Sequence, residues 1–360
     1  MLRWSARLTP YRLPFRRPWS SGAGSWRERH GWLLQISDHQ GNRGYGDAAP
    51  LPEMGSETPE QSEEWLRANS ERLSRLTPEQ ALLHLADDRS HPAARCALEC
   101  ALLDLQGKQQ ERPLWQLLGA ENPQPVRLNA ALGELDESVA SRARDAVAAG
   151  FDTLKLKLGI HPQEQELERL RQLASGLPDN TLLRLDANRA WSPEQARSWI
   201  GHLNPLPVES LEEPLARWDN NSMALLQREA RFDLAADESL PPFLHRHPLS
   251  ALPVRRIVLK PLLLGGLLPT RGLIRQAAAL ELHCVITSCL ESNAGLWPLL
   301  HLAASTDQLT GAVAHGLATG DLFSRNLGPA PTVTRGRVRI EESPGSGFIL
   351  RTDAPYNQPE

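Results

Sequence analysis

From about Val126 onward the chain repeats one unit: a short apolar strand ending in a polar or charged residue, a turn or cap, then an amphipathic helix. Strand ends fall near Ala131, Lys157, Asp186, Glu212, Asp237, Lys260, Ser288 and His315, at intervals of 26, 29, 26, 25, 23, 28 and 27 residues. Strands alternating with helices imply a parallel sheet joined by helical crossovers. Eight such units are the number that closes a barrel. Ser192-Pro193-Glu194 supports the helix assignment, with a cap residue, a proline and an acid at the start of a helix. The expected class is α/β, a (β/α)8-type barrel, over residues 123–327.

Residues 1–122 have another texture. Met1–Leu13, Gly31–Ser37 and Gly44–Ala48 read as strands, with a Ser/Gly-rich mobile loop expected over Ser20–Ser25. Pro59–Leu76 and Pro92–Gln110 carry helical spacing, the latter with Ala94, Leu98, Ala101, Leu102 and Leu105 on one face. A helical hairpin on a small sheet follows, an α+β capping domain. The tail, 328–360, is too short for a domain of its own; its strand-like pieces Thr332–Ile340 and Gly347–Leu350 are expected to return to the N-terminal sheet.

Charge and cysteine content narrow the function. Lys and Arg total 39 against 43 Asp and Glu, so no basic excess exists to neutralise a nucleic-acid backbone. The longest apolar run, Ile257–Leu268, is broken by Lys260 and Pro261 and falls short of the ~18 residues a membrane span needs. Four cysteines, paired in sequence as Cys96/Cys100 and Cys284/Cys289, fit neither a disulfide framework nor a zinc spacing, which favours a reducing cytoplasm. The Arg-rich, acid-poor start resembles a transit peptide in composition, but Pro10, Pro14 and Pro18 oppose a long amphipathic helix there. Oligomeric state is not readable.

Five charged residues end five consecutive strands: Lys157, Asp186, Glu212, Asp237 and Lys260. Strand side chains alternate, so Lys155, Lys157, Arg184, Asp186 and Lys260 point into the barrel while neighbouring leucines face the helices. The C-terminal strand ends are where such barrels hold their active sites. Three converging carboxylates repel unless a cation joins them, and an all-oxygen set suits a hard dication, Mg2+ or alternatively Mn2+. Lys155 and Lys157 lie two residues apart, ~7 Å; at an effective dielectric of ~20 their repulsion is roughly 2.4 kcal/mol, enough to bring one towards general-base range. His161, His301 and His315 read as structural or surface residues. Arg16–Ser25 is expected to act as a lid, in which Arg16 and Arg17 cover an anionic substrate.

Taken together, Gly44-Tyr-Gly-Asp-Ala-Ala-Pro-Leu-Pro52, Lys155-Leu-Lys157, Leu185-Asp-Ala-Asn-Arg-Ala-Trp191, Leu211-Glu-Glu-Pro214, Ala236-Asp-Glu-Ser239 and Leu259-Lys-Pro261 resemble the enolase superfamily, in its muconate-lactonizing-enzyme-like subgroup. The resemblance implies a modified (β/α)7β barrel with a capping domain built from the N-terminal region and the tail. It implies Asp186, Glu212 and Asp237 as Mg2+ ligands, Lys157 as base, Lys260 as stabiliser of an enediolate from the other face, and Lys155 and Asn188 as support. Arg184, Thr287, Ser288 and Gly316 join them as candidates for substrate contact or support. The implied reaction is a lyase reaction of menaquinone biosynthesis, dehydrating a succinyl-bearing cyclohexadiene carboxylate, a small dicarboxylate, to an aromatic ring. Three positions depart from the family pattern: Asp47 replaces a common Glu, the seventh-strand segment contains Cys289, and Ala314-His-Gly316 lacks the acidic pair of dipeptide epimerases. Racemisation of N-acylamino acids and muconate-type cycloisomerisation fit the same scaffold. A Schiff-base aldolase needs no three acids, and a binding-only barrel needs neither lysine.

Overall fold

A computed structural model of the chain describes residues 3–21 and 24–351. Its N-terminal layer follows from alternation: Tyr11, Leu13 and Phe15 bury one face of β1 (Trp4–Ser21). β1 pairs antiparallel with β2 (Gly24–Asp38), which pairs with β3 (Arg43–Ala48). The Ser/Gly-rich stretch expected as a loop is instead strand: Trp19 pairs with Trp26, Ser20 with Ser25 and Ser21 with Gly24. Cross-strand pairing overrides the local flexibility of these residues, and only Gly22 and Ala23 of the stretch lie outside the described residues.

Helices α1 (Pro59–Leu73), α2 (Pro78–Leu85) and α3 (Pro92–Gln109) cover this sheet, the first two started by capping boxes at Thr58 and Thr77. α3 is buried along nearly its whole length. It approaches β3 so closely that a Cβ on Gly46 would lie 1.8 Å from the carbonyl oxygen of Ala97. A one-turn helix, α4 (Leu114–Leu117), leads out of the cap.

Strand β4 (Val126–Arg127) precedes seven parallel strands, paired in sequence order: β5 (Ala130–Glu134), β6 (Thr153–Lys157), β7 (Leu182–Asp186), β8 (Val208–Glu212), β9 (Asp233–Ala236), β10 (Arg256–Leu259) and β11 (His283–Ile286). β5 runs past the expected end at Ala131, because a register shift at Ala131/Gly133 extends its pairing to Glu134. The eighth position is filled by the segment around His315. His315 N–H donates to Arg127 and its carbonyl accepts from Asn129, while Gly316 N–H donates to Ile286 and its carbonyl accepts from Ser288. These bonds join β11 back to the start of the sheet and complete the ring.

Outward leucines of the strands, including Leu154, Leu156, Leu183, Leu185 and Leu211, form one buried cluster with Leu167, Leu170, Trp199 and Ile200 of the surrounding helices. Those helices are α5 (Val139–Ala148), α6 (Gln163–Ser175), α7 (Pro193–Leu203), α8 (Asn220–Glu229), α9 (Leu240–Leu244), α10 (Pro261–Leu264), α11 (Leu267–Ala279) and α12 (Asn293–Thr310). α7 starts with Ser192 in a full capping box with Gln195.

The tail returns to the cap, but its strands do not join the N-terminal sheet. β12 (Val333–Thr334) pairs with β13 (Arg337–Val338), which pairs with β4 rather than with the N-terminal sheet. β2 already holds β1 on one side and β3 on the other, and the tail meets the cap elsewhere: Leu114 N–H donates to the Gly345 carbonyl at 2.7 Å, Gly345 N–H donates to the Arg112 carbonyl at 2.9 Å, and Phe348 packs on Tyr45 with ring centroids 5.3 Å apart. Among the described residues no helix is long and apolar enough to cross a membrane.

The close approach at Gly46 gives a first test. Gly46→Ala is expected to destabilise by about 1–3 kcal/mol or more. Gly201→Ala, in the open interior of α7, is expected to be neutral or stabilising by up to ~1 kcal/mol. Thermal denaturation of the two variants checks the contrast.

Candidate active site

The ring order places β6 and β10 four positions apart in either direction, so the strands carrying Lys157 and Lys260 stand on opposite walls. β7, β8 and β9 form the arc between them and bring Asp186, Glu212 and Asp237 to its C-terminal end. The pairing is in register: Lys157 lies beside Asp186, and Asp186 beside Glu212.

Lys155 extends between two of the acids, its Nζ 3.0 Å from Asp186 Oδ2 and 2.5 Å from Glu212 Oε2. Lys260 donates to Asp237 Oδ1. Burial disfavours the charged form of both lysines, but the surrounding carboxylates outweigh it and hold both pKa values above the ordinary lysine range. Lys157 is shifted the other way. Burial lowers its pKa first and the Lys155 ammonium adds to this, against Asp186. The lysine–lysine repulsion expected from the sequence therefore acts, but behind desolvation.

Glu212 is pushed up by burial, with Lys155 opposing and Asp186 and Asp237 reinforcing the rise. Next to Asp237, burial and the Asp237 charge raise Glu238 to about 8, and its Oε2 is buried without a hydrogen-bond partner. Among the described residues no three acidic, imidazole or thiol groups close on one point, since Asp186 and Glu212 meet on Lys155 while Asp237 meets Lys260. The donor chemistry nonetheless fits a hard dication. Three buried acids and the half-buried Glu238 adjoin three lysines, every acid donor atom is oxygen, one acid oxygen is orphaned, and a single cationic group already bridges two of the carboxylates.

Glu213 follows β8 directly, with its backbone in the left-handed region at φ 44°, and its side chain works on the backbone. Its Oε1 accepts from the N–H groups of Asp237 at 2.8 Å and Ser239 at 2.9 Å, which sets the turn that carries Asp237. Glu166 does the same after β6: it is fully buried and accepts from the N–H groups of Gly159, Ile160 and His161. Sequence reasoning missed both. The signal for each is an acid placed where a strand must turn sharply into a helix.

The remaining candidates divide. Asn188 N–H donates to Asp186 Oδ1 at 3.0 Å. Thr287 Oγ1 donates to the Gly316 carbonyl, and Ser288 Oγ lies 3.0 Å from Thr319 Oγ1, so these residues come together on the rim. Arg184 lies in a layer below, where a register shift in β8 turns Glu209 inward beside Ser210. There Arg184 binds Glu209 and Asn129, and Arg256 binds Glu209 and Asp233, so the Arg184 guanidinium is engaged in a charged layer beneath the acids. Arg16 Nε donates to the Asp321 carbonyl at 2.9 Å, and Arg17 is exposed. The expected structural histidines are so placed: His301 accepts from Trp115 N–H, with its pKa lowered to about 4 by burial.

Lysine usage is a further signal. The chain contains four lysines among its 39 basic residues, and three of the four are Lys155, Lys157 and Lys260. Where arginine serves elsewhere, a side chain able to give up its proton is kept at the site.

Two family models cover most of the chain: residues 5–119 match the mandelate racemase/muconate lactonizing enzyme N-terminal domain, and residues 138–354 match the enolase C-terminal domain-like model. A chloromuconate cycloisomerase of Cupriavidus pinatubonensis is 31% identical over 71% of this chain and 70% of its own length. An o-succinylbenzoate synthase of Photorhabdus laumondii is 30% identical over 84% of this chain and 85% of its own. Among solved structures, a dipeptide epimerase from Enterococcus faecalis V583, complexed with Mg and a dipeptide, superposes with a TM-score of 0.83 at 24% identity, covering 97% of this chain and 99% of that one.

The charged layer below the site sets an acid limit on stability. Burial raises the Glu209 pKa, but Arg184 and Arg256 outweigh it and hold the value down to about 2. A depressed carboxylate stabilises the fold above its unfolded value of ~4.3, and this contribution fades as pH falls from there towards about 2. Glu209→Gln should lower stability at pH 7 and flatten its decline between pH 4.5 and 2, as read by denaturant unfolding across that range.

Proposed function

The chain belongs to the enolase superfamily, and on that premise we propose that it is an o-succinylbenzoate synthase, dehydrating 2-succinyl-6-hydroxy-2,4-cyclohexadiene-1-carboxylate to 2-succinylbenzoate in menaquinone biosynthesis. The observation that carries this reading is the pair of lysines on opposite walls with three carboxylates on the arc between them. Similarity to o-succinylbenzoate synthases over most of the chain supports it. Asp186, Glu212 and Asp237 would hold Mg2+, with Mn2+ an alternative. When bound, the dication would supply positive charge opposite the substrate carboxylate.

Lys157, lowered in pKa by burial, takes the proton on the carbon beside the carboxylate. Lys260, held protonated among acids, presents its ammonium from the opposite wall to the negative charge that develops. Lys157 then returns the proton to the departing hydroxyl. A C–H and a C–O bond are broken, water leaves, and the ring becomes aromatic. Lys155 keeps Asp186 and Glu212 together, and Asn188 orients Asp186. A cytoplasmic location suits four reduced, buried cysteines.

Opposed lysines also favour a second reading, racemisation of N-acylamino acids, in which each lysine exchanges the α-proton on its own side. Ultraviolet detection of 2-succinylbenzoate separates the two: product formation from the cyclohexadiene substrate supports dehydration. Its absence, with racemisation of an N-succinylamino acid, selects the rival.

Two variant sets test the residue roles. Asp186→Ala, Glu212→Ala and Asp237→Ala should each remove Mg2+ binding in calorimetry and abolish turnover with the fold retained. Full activity in excess chelator would overturn the metal assignment. Lys157→Ala should lower α-proton exchange into deuterated solvent by at least ~10²-fold. Near wild-type exchange would place the base elsewhere.

A further inference from the structure

The turn that follows Lys260 is gripped from the other domain. Lys260 caps the single turn α10, its carbonyl accepting from the N–H groups of Leu263 and Leu264, and the turn ends at Gly265 in the left-handed region with φ 84°. Gly266, at φ 139°, leads directly into α11. Both glycines lie against α3 of the cap. Arg95 Nη1 donates to the Gly265 carbonyl, and Glu99 Oε1 accepts from Leu268 N–H at 2.8 Å, at the open N-terminus of α11. The two side chains pair with each other at 3.0 Å and are 2% and 1% exposed. Arg95 is fixed in turn by two bonds to the Leu85 carbonyl, at 3.1 and 2.9 Å.

The fit leaves no slack. A Cβ on Gly266 would lie 2.4 Å from Glu99 Oε1 and 3.0 Å from Arg95 Nη1. A buried ion pair is a poor source of net stability, because desolvating both charges offsets their attraction. What this pair supplies is direction: five planar donors and a two-oxygen acceptor hold one backbone turn in one place.

We propose that Arg95 and Glu99 are positioning residues for Lys260, through which the capping domain sets the placement of the second lysine. The proposal rests on the reading of Lys260 as the group acting from the wall opposite Lys157. Neither residue touches the carboxylates described above. They act through Gly265, Gly266 and the one-turn helix that Lys260 begins.

The four lysines make this measurable without substrate. Enzyme labelled with ε-13C-lysine should give four methylene signals, assigned by single lysine variants, with Lys108, paired to Asp104, as an internal control. Glu99→Gln keeps shape and removes charge; Gly266→Ala keeps both charges and displaces the turn. In either variant the Lys260 signal is expected to move while those of Lys108, Lys155 and Lys157 stay, and kcat to fall ~10- to 100-fold, as for a displaced reacting group, with KM changed less than twofold. Should Glu99→Gln fail to fold, Gly266→Ala still decides. An unmoved Lys260 signal, or equal movement of all three site lysines, overturns the proposal. A moved Lys260 signal with undiminished turnover supports the clasp and refutes instead the role assigned to Lys260.

Discussion

One rung of the parallel sheet places Lys157, Asp186 and Glu212 side by side, and the rest of the molecule is arranged around that juxtaposition. Parallel pairing allows no other neighbours once the register is set, because a shift by one residue turns every side chain to the opposite face. Outward leucines packed under the helices hold the register, and inward residues must then tolerate each other. The rung above the barrel floor is therefore acidic and basic by turns, with Lys155 drawn between Asp186 and Glu212 and Lys260 onto Asp237. Lys157 differs from Lys155 and Lys260 in being lowered rather than raised in pKa. That contrast separates a lysine suited to take a proton from lysines suited to remain charged.

Backbone geometry at the mouth is set by buried acids that take no part in this rung. Glu213 and Glu166 bind the N–H groups of the turns after β9 and β6, and a bulge in β8 turns Glu209 into the layer beneath. The capping domain continues the pattern from outside the barrel. Arg29, 3% exposed, donates to the carbonyls of Ala49 and Pro50 in the cap and of Cys289 and Leu290 after β11. Asp47 accepts from Tyr11 and from Ser292 N–H, the latter at the start of α12. Burial, with the nearby Asp47 charge adding to it, raises Glu291 beside this network to about 7. Together with Arg95 and Glu99, these contacts tie two separate barrel loops to one rigid layer.

Much of the barrel was legible because its signals are local. Apolar alternation, a cap-proline-acid start such as Ser192-Pro193-Glu194, and a recurring interval all sit within a few residues of the structure they specify. The candidate site was legible for the same reason: Lys157, Asp186, Glu212, Asp237 and Lys260 each end a strand or directly follow one, and the ends of parallel strands converge. What misled was composition without partners. Ser20–Ser25 reads as loop until Trp19 is set against Trp26, and whether Arg184 contacts or supports stays open in the sequence until the bulge supplies Glu209 as its partner.

The sequence by itself determined the α/β alternation, the count of eight units and the identity of the charged strand ends, since these depend on side-chain spacing along one strand or helix. Tertiary structure alone decided which charges neutralise each other, because that depends on strands 25 to 57 residues apart, as in Arg184 with Glu209 and Lys155 with Glu212. It also decided that Lys157 falls in pKa mainly by burial, a property of the closed ring that no segment possesses. Finally, it placed Arg95 and Glu99 on Gly265 and Leu268, contacts spanning 170 and 169 residues that exist only once cap and barrel are packed together.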